Sequence, residues 1–152
     1  MKRLTLAASI IATALAGTPT KAESFSPNFS LPAVNGGGNV SFPSGGVVIV
    51  DFWASWCGPC KASFSFYNRL IGQYSVTVIG VNEDKVPAEA QKFLKNTPAS
   101  FSLAADASGS VYKQYGVGSM PTAFIFKDGA LKKTIYGFNE SEITNTVKEL
   151  VK

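Results

Sequence analysis

Apolar positions recur along this chain with two periods. Val47-Val48-Ile49-Val50, continuing into Asp51-Phe52-Trp53, is nearly unbroken and β-branched, the pattern of a strand buried on both faces. Behind it, Ala62, Phe64, Phe66, Leu70 and Ile71 fall at helical spacing and predict a helix reaching Tyr74, with an apolar arc wide enough to be covered on more than one side. Val76-Thr77-Val78-Ile79-Gly80-Val81 reads as a second buried strand, and strand, helix, strand in that order implies a right-handed parallel crossover. Pro87 to Asn96 predicts a helix, with proline in its first turn and Ala90, Phe93 and Leu94 on one face.

The C-terminal half alternates more strictly. Phe101-Ser102-Leu103 predicts a short strand and Gly109 to Tyr115 a short helix. Thr122 to Phe126 and Leu131 to Tyr136 then flank Lys127-Asp128-Gly129-Ala130, a strong hairpin signal. Asn139 with Glu142 three residues on starts a last helix, whose buried face is Ile143, Val147, Leu150 and Val151. Near the front, Glu23 to Pro32 predicts an irregular surface segment. Asn35-Gly36-Gly37-Gly38-Asn39 predicts a flexible turn and Val40-Ser41-Phe42 a short edge strand, the two flanks forming a hairpin.

Met1-Lys2-Arg3 and the apolar run Leu4 to Leu15 have the layout of a secretory signal peptide, read as 1–22 with cleavage after Ala22, the alternative being an uncleaved membrane anchor. This changes the charge picture. The whole chain carries 14 basic and 10 acidic residues, but Lys2, Arg3 and Lys21 lie in the leader, leaving 11 against 10. With no basic run or interleaved aromatic pattern, nothing supports nucleic acid as a partner class, and none is expected. Residues 23–152 are the length of one domain with one core.

The chemistry lies where strand becomes helix. Cys57 and Cys60, the chain's two cysteines, bracket Gly58-Pro59 at the predicted helix start. There, unpaired backbone N–H groups and the helix dipole favour a thiolate on Cys57, which makes it the nucleophile. Three-residue spacing puts both sulfurs on one face, within reach of an S–S bond. Cys57 is expected to be partly exposed and Cys60 shielded by the sheet. Competing readings are a structural disulfide or a metal site. The four-residue loop makes the former a weak staple, and two cysteines without any histidine fall short of the donors zinc or copper needs.

Asp51 through Lys61, Asp-Phe-Trp-Ala-Ser-Trp-Cys-Gly-Pro-Cys-Lys, closely resembles the active-site segment of thioredoxin, and Pro27 to Pro32 resembles the entry segment of exported thioredoxins of the TlpA/ResA type and of peroxiredoxins. The resemblance implies a thioredoxin-like α/β fold: a central mixed sheet flanked by helices, with an N-terminal hairpin and a central helix-strand insertion. It implies an exported or periplasmic thiol-disulfide oxidoreductase, a monomer acting on protein thiols or disulfides of the cell envelope, and the Gly58-Pro59 dipeptide, which matches reducing thioredoxins, favours reduction of disulfides in envelope proteins. A membrane donor would supply electrons, and no cofactor is needed beyond the Cys57-Cys60 dithiol. An oxidase or isomerase of secreted proteins is the alternative, and a binding module with an inert disulfide the third reading.

The same resemblance implies the remaining site residues. Gly116 to Thr122 matches the loop that holds a cis-proline opposite the thiols. Pro121 would then shape a groove beside Cys57, the Met120 backbone would pair with an extended substrate, and Trp56, Gly58, Pro59, Met120 and Phe138 would line the groove. Met120 and Phe138 could equally be ordinary core residues. Asp51, a carboxyl within an apolar strand, is expected to be buried with a raised pKa and to exchange protons with Cys60. Three positions depart from relatives. Gly80 stands where thioredoxin commonly has a lysine, Lys61-Ala62-Ser63-Phe64 lacks the glutamate many TlpA/ResA-type proteins carry, and Thr122 replaces the acidic residue of cytochrome-maturation members.

Overall fold

The structure, a computed structural model, describes residues 25–152, so the leader expected over 1–22 lies outside the described residues. Strands β1 (Ser30–Pro32) and β2 (Asn39–Ser41) form a two-stranded antiparallel sheet. The chain continues through β3 (Val47–Trp53), α1 (Gly58–Gln73), β4 (Val76–Asn82), α2 (Pro87–Asn96), β5 (Ser102–Ala105), α3 (Ser110–Gln114), β6 (Thr122–Lys127), β7 (Ala130–Tyr136) and α4 (Glu140–Leu150). The main sheet runs β5-β4-β3-β6-β7, parallel on the β4 and β5 side and antiparallel on the β6 and β7 side.

Strand β3 is central and wholly buried, and its alternation divides the core. Val47 and Ile49 join Phe66, Tyr67 and Leu70 of α1 and Ile143 and Val147 of α4 on one face. Val48, Val50 and Phe52 meet Val111, Tyr115 and Val117 on the other. Helices therefore cover both faces, as the two-sided apolar run of β3 requires. The β6–β7 hairpin turns through Asp128 and Gly129, both at positive φ, the backbone of a tight two-residue turn.

One expectation needs correction. The segment before Pro32 is not irregular throughout, because Ser30–Pro32 pairs as β1 with Asn39–Ser41. Tertiary contacts hold it: the Tyr115 hydroxyl donates to the Pro27 carbonyl (2.6 Å) and Phe29 packs edge-on against Phe42 and Tyr115. The N–H of Val34 donates to the Leu103 carbonyl and Ala33 bridges Ala104, which partly covers the β5 edge.

Candidate functional site

Cys57 is the N-cap of α1, in extended conformation, with Gly58 and Pro59 opening the helix and no acidic side chain in its first turn. Nothing in that turn therefore neutralises the positive end of the helix dipole, which favours negative charge on the Cys57 sulfur when the pair is reduced. Proline is accommodated because N–H groups of the first turn have no helical partner. Cys57 and Cys60 are joined in a disulfide across a Cα–Cα distance of 5.5 Å. Cys60 is fully buried. Cys57, expected to be partly exposed, is only 5% exposed, a correction explained by its packing in one cluster with Trp53, Phe64, Val34 and Met120.

Trp56, by contrast, is 72% exposed, and Gly58 and Pro59 are exposed beside it. The loop preceding the thiols is clamped from β4: both the N–H and the hydroxyl of Ser55 donate to the Asp84 carboxylate, at 2.9 and 2.7 Å, while Asn82 Nδ2 donates to the same group at 2.8 Å. The Met120–Pro121 peptide bond is cis. Pro121 is buried, its carbonyl accepting from the Gly137 N–H, and Met120 is half-buried against the cluster that contains both cysteines. Phe138 is placed elsewhere. Its ring packs on Phe66 of α1, centroids 5.5 Å apart, in the cluster beneath α1 and α4.

Asp51 is 2% exposed and faces α1. The Tyr67 hydroxyl donates to its Oδ1 at 3.2 Å, and its Oδ2 is buried without a partner. Burial pushes the Asp51 carboxyl up to about 8, with the Tyr67 hydrogen bond pulling the other way. Tyr67 is raised well above the ordinary tyrosine value by burial and then by Asp51, so it stays a donor. Gly80 lies directly across from Asp51 in the β3–β4 register, and a side chain there would run into Leu103, Trp53 and Phe101. The space a lysine would need is filled by apolar groups. Ser63 does not stand in for a carboxylate either, since its hydroxyl donates to the Cys60 carbonyl at 2.7 Å.

The structure thus brings Cys57, Cys60 and Met120 into one cluster, with Trp56, Gly58, Pro59 and Pro121 adjoining it, and sets Asp51 in the sheet beneath α1. Tyr67, Ser55 and Asp84 are polar participants not singled out in the sequence. Tyr67 could have been found, because it follows Cys60 by seven residues and so shares its helix face. Asp84 had no such signal, since two of its three hydrogen bonds come from Ser55, 29 residues earlier. Among the described residues no cluster of side chains could hold a metal ion.

A mixed sheet in this order, a cysteine pair closed at the start of the helix that follows its central strand, and a cis-proline loop beside it define a thioredoxin-like protein. The chain belongs to the Redoxin family, whose model matches residues 20–151. It is 32% identical over 99 residues to the thiol-disulfide oxidoreductase ResA of Bacillus thuringiensis subsp. konkukian, covering 62% of this chain and 57% of that protein. It is 38% identical over 92 residues to thioredoxin 1 of Synechococcus elongatus, covering 59% and 65%. The chain thus spans less than two thirds of either relative. Among solved structures it is similar to a Chlorobium tepidum protein assigned as thiol:disulfide interchange protein DsbE, with TM-score 0.78, 34% identity and coverage of 84% of this chain and 95% of that one.

Proposed function

We propose that this protein is a thiol-disulfide oxidoreductase of the cell envelope, exported by a signal peptide over residues 1–22, with 23–152 as its working domain, and that it reduces disulfides of envelope proteins. The observation that carries the reading is the Cys57–Cys60 disulfide at the start of α1, packed against Met120 beside the cis bond to Pro121. The ResA and DsbE relatives support the chemistry by their names, and the leader-like layout of residues 1–22 supports export.

In this reading the Cys57 thiolate attacks a substrate disulfide and forms a mixed disulfide. Cys60 then loses its proton to Asp51 and attacks Cys57 Sγ, which closes Cys57–Cys60 and releases the substrate thiol. Two electrons pass to the substrate, and a membrane donor returns them. An extended substrate strand pairs with the Met120 backbone and rests on exposed Trp56, Gly58 and Pro59. The Gly-Pro dipeptide places no histidine or extra cation between the thiols, which favours a reductant over an oxidant.

The test is the equilibrium of the pair in a glutathione redox buffer. A potential near that of thioredoxin supports the reductase. A pair that stays reduced in all but strongly oxidising buffer indicates an oxidase, and a disulfide that no dithiol opens leaves only a binding module. Trapping mixed disulfides on Cys60→Ser in the envelope then identifies substrate and donor.

A further inference from the structure

The proton assigned to Asp51 needs a fixed carboxyl, and the groups around it are few. Its two strand neighbours are Gly80 on β4 and Ala123 on β6, neither of which titrates. Ile143 and Val147 of α4 face the same side of the sheet and are apolar. The side chain that would extend from position 80 is replaced by Leu103, Trp53 and Phe101 closing in. From α1 come two titratable side chains, Cys60 and Tyr67, one helix face apart by seven residues. Helical side chains lean toward the helix N-terminus, so the Tyr67 ring runs back along that face toward the turn that carries Cys60. Its hydroxyl ends on Asp51 Oδ1.

We infer that Tyr67 is a positioning residue for the resolving step: it holds Asp51 by Oδ1, orients the carboxyl, and leaves the partnerless Oδ2 to take the proton from Cys60. The inference rests on the reading of Asp51 as the proton acceptor. The proton leaves Cys60 Sγ for Oδ2, the Cys60 thiolate forms the bond to Cys57 Sγ, and the bond from Cys57 to the substrate sulfur breaks, its electron pair leaving with that sulfur. Tyr67 keeps its own proton throughout. It is a neutral donor that favours the carboxylate without adding a charge to the interior.

The experiment follows release of the second thionitrobenzoate when the reduced protein reacts with dithiobis-nitrobenzoate, a probe whose mixed disulfide on Cys57 is resolved by Cys60. Release is measured against pH in the wild type, Tyr67→Phe, Asp51→Asn and the double variant. The wild-type rate is expected to rise through a midpoint near the Asp51 value of about 8. Tyr67→Phe should move that midpoint up by about one pH unit while reaching the same alkaline plateau, because one hydrogen bond to the carboxylate is lost. Asp51→Asn should lack the transition, and adding Tyr67→Phe to it should change nothing further. This control matters because Glu83, pushed to about 9 by burial and by neighbouring Asp106, titrates in the same range. A Tyr67→Phe profile that overlays the wild type, or falls equally at every pH, overturns the inference while leaving Asp51 in place. An Asp51→Asn variant that keeps the wild-type transition overturns both. Should Tyr67→Phe fail to fold, 3,5-difluorotyrosine at position 67, a stronger donor of similar shape, must move the midpoint down; an unmoved midpoint counts against the inference in the same way.

Discussion

Two aspartates buried on either side of the thiol turn receive opposite treatment. Asp84 accepts three hydrogen bonds, two from Ser55 and one from Asn82, all between 2.7 and 2.9 Å. Asp51 accepts one, at 3.2 Å, and keeps an oxygen without a partner. Asp51 lies two residues before the end of β3 and Asp84 two residues past the end of β4, and both are nearly inaccessible. A carboxylate whose lone pairs are filled is a clamp, and here it anchors the loop that presents Trp56. One left short of partners has its charged form disfavoured, so it holds its proton tightly enough to keep it up to about pH 8 and exchange it near neutral pH. With both carboxyls buried, the number of donors supplied separates the clamp from the proton carrier proposed above.

The largest effect expected from breaking this contrast is in Asp51→Asn. Removing the proton acceptor should slow resolution of the mixed disulfide by about 100-fold or more at neutral pH, read by stopped-flow release of thiol. Stability should move the other way. Because the folded protein binds the Asp51 proton more tightly than the unfolded chain, stability falls as pH rises from about 4 to about 8 and levels off above. Asp51→Asn should flatten that slope and be the more stable protein at pH 8, by an amount on the order of a few kcal/mol. Denaturant titrations at pH 5 and pH 8 check both; a slope equal in the two proteins would mean the carboxyl is not the group that titrates.

Asp84→Ala should come next, with a loss of about 3 kcal/mol, since it strands the Ser55 and Asn82 donors at a buried site. Its mixed-disulfide resolution should keep the wild-type pH midpoint, which distinguishes a clamp from a proton carrier. A shifted midpoint would erase the distinction between the two aspartates.

Gly80→Ala is a smaller perturbation beside Asp51. Its Cβ would lie 2.9 Å from Leu103 Cδ2 and 3.0 Å from Trp53 Nε1, so about 1–2 kcal/mol of stability should be lost to overpacking. Thermal unfolding measures it, and an unchanged midpoint would show that the apolar wall over Asp51 can yield. Smallest is Ser63→Ala, expected to cost about 1 kcal/mol because its hydroxyl serves only the Cys60 carbonyl. An effect on the rate of resolution would give Ser63 a part in the chemistry that its geometry does not suggest.

Local signals determined much of this protein from sequence alone. The continuous apolar run at 47–53, the helical spacing after it and the Asp128-Gly129 turn each depend on neighbours a few residues away, and β3, α1 and the β6–β7 hairpin formed where those signals stood. The helix over Pro87–Asn96 matches its expected span for the same reason. Position-specific residues around Cys57 and Cys60 carried the family. What the pattern could not carry were the pairings across long separations. Ser30–Pro32 became a strand only because Asn39–Ser41 and Tyr115 were there to receive it. Phe138 was drawn to Phe66 by the packing of α1 against the C-terminal elements, and Cys57 was covered by Val34 and Met120, which lie 23 and 63 residues away. The hydrogen-bond count at each buried aspartate was decided in the same way. An apolar strand with one aspartate in it states that a charge will be costly to bury, but the donors that set its proton affinity arrive from other elements, and only the folded chain brings Tyr67 to Asp51 and Ser55 to Asp84.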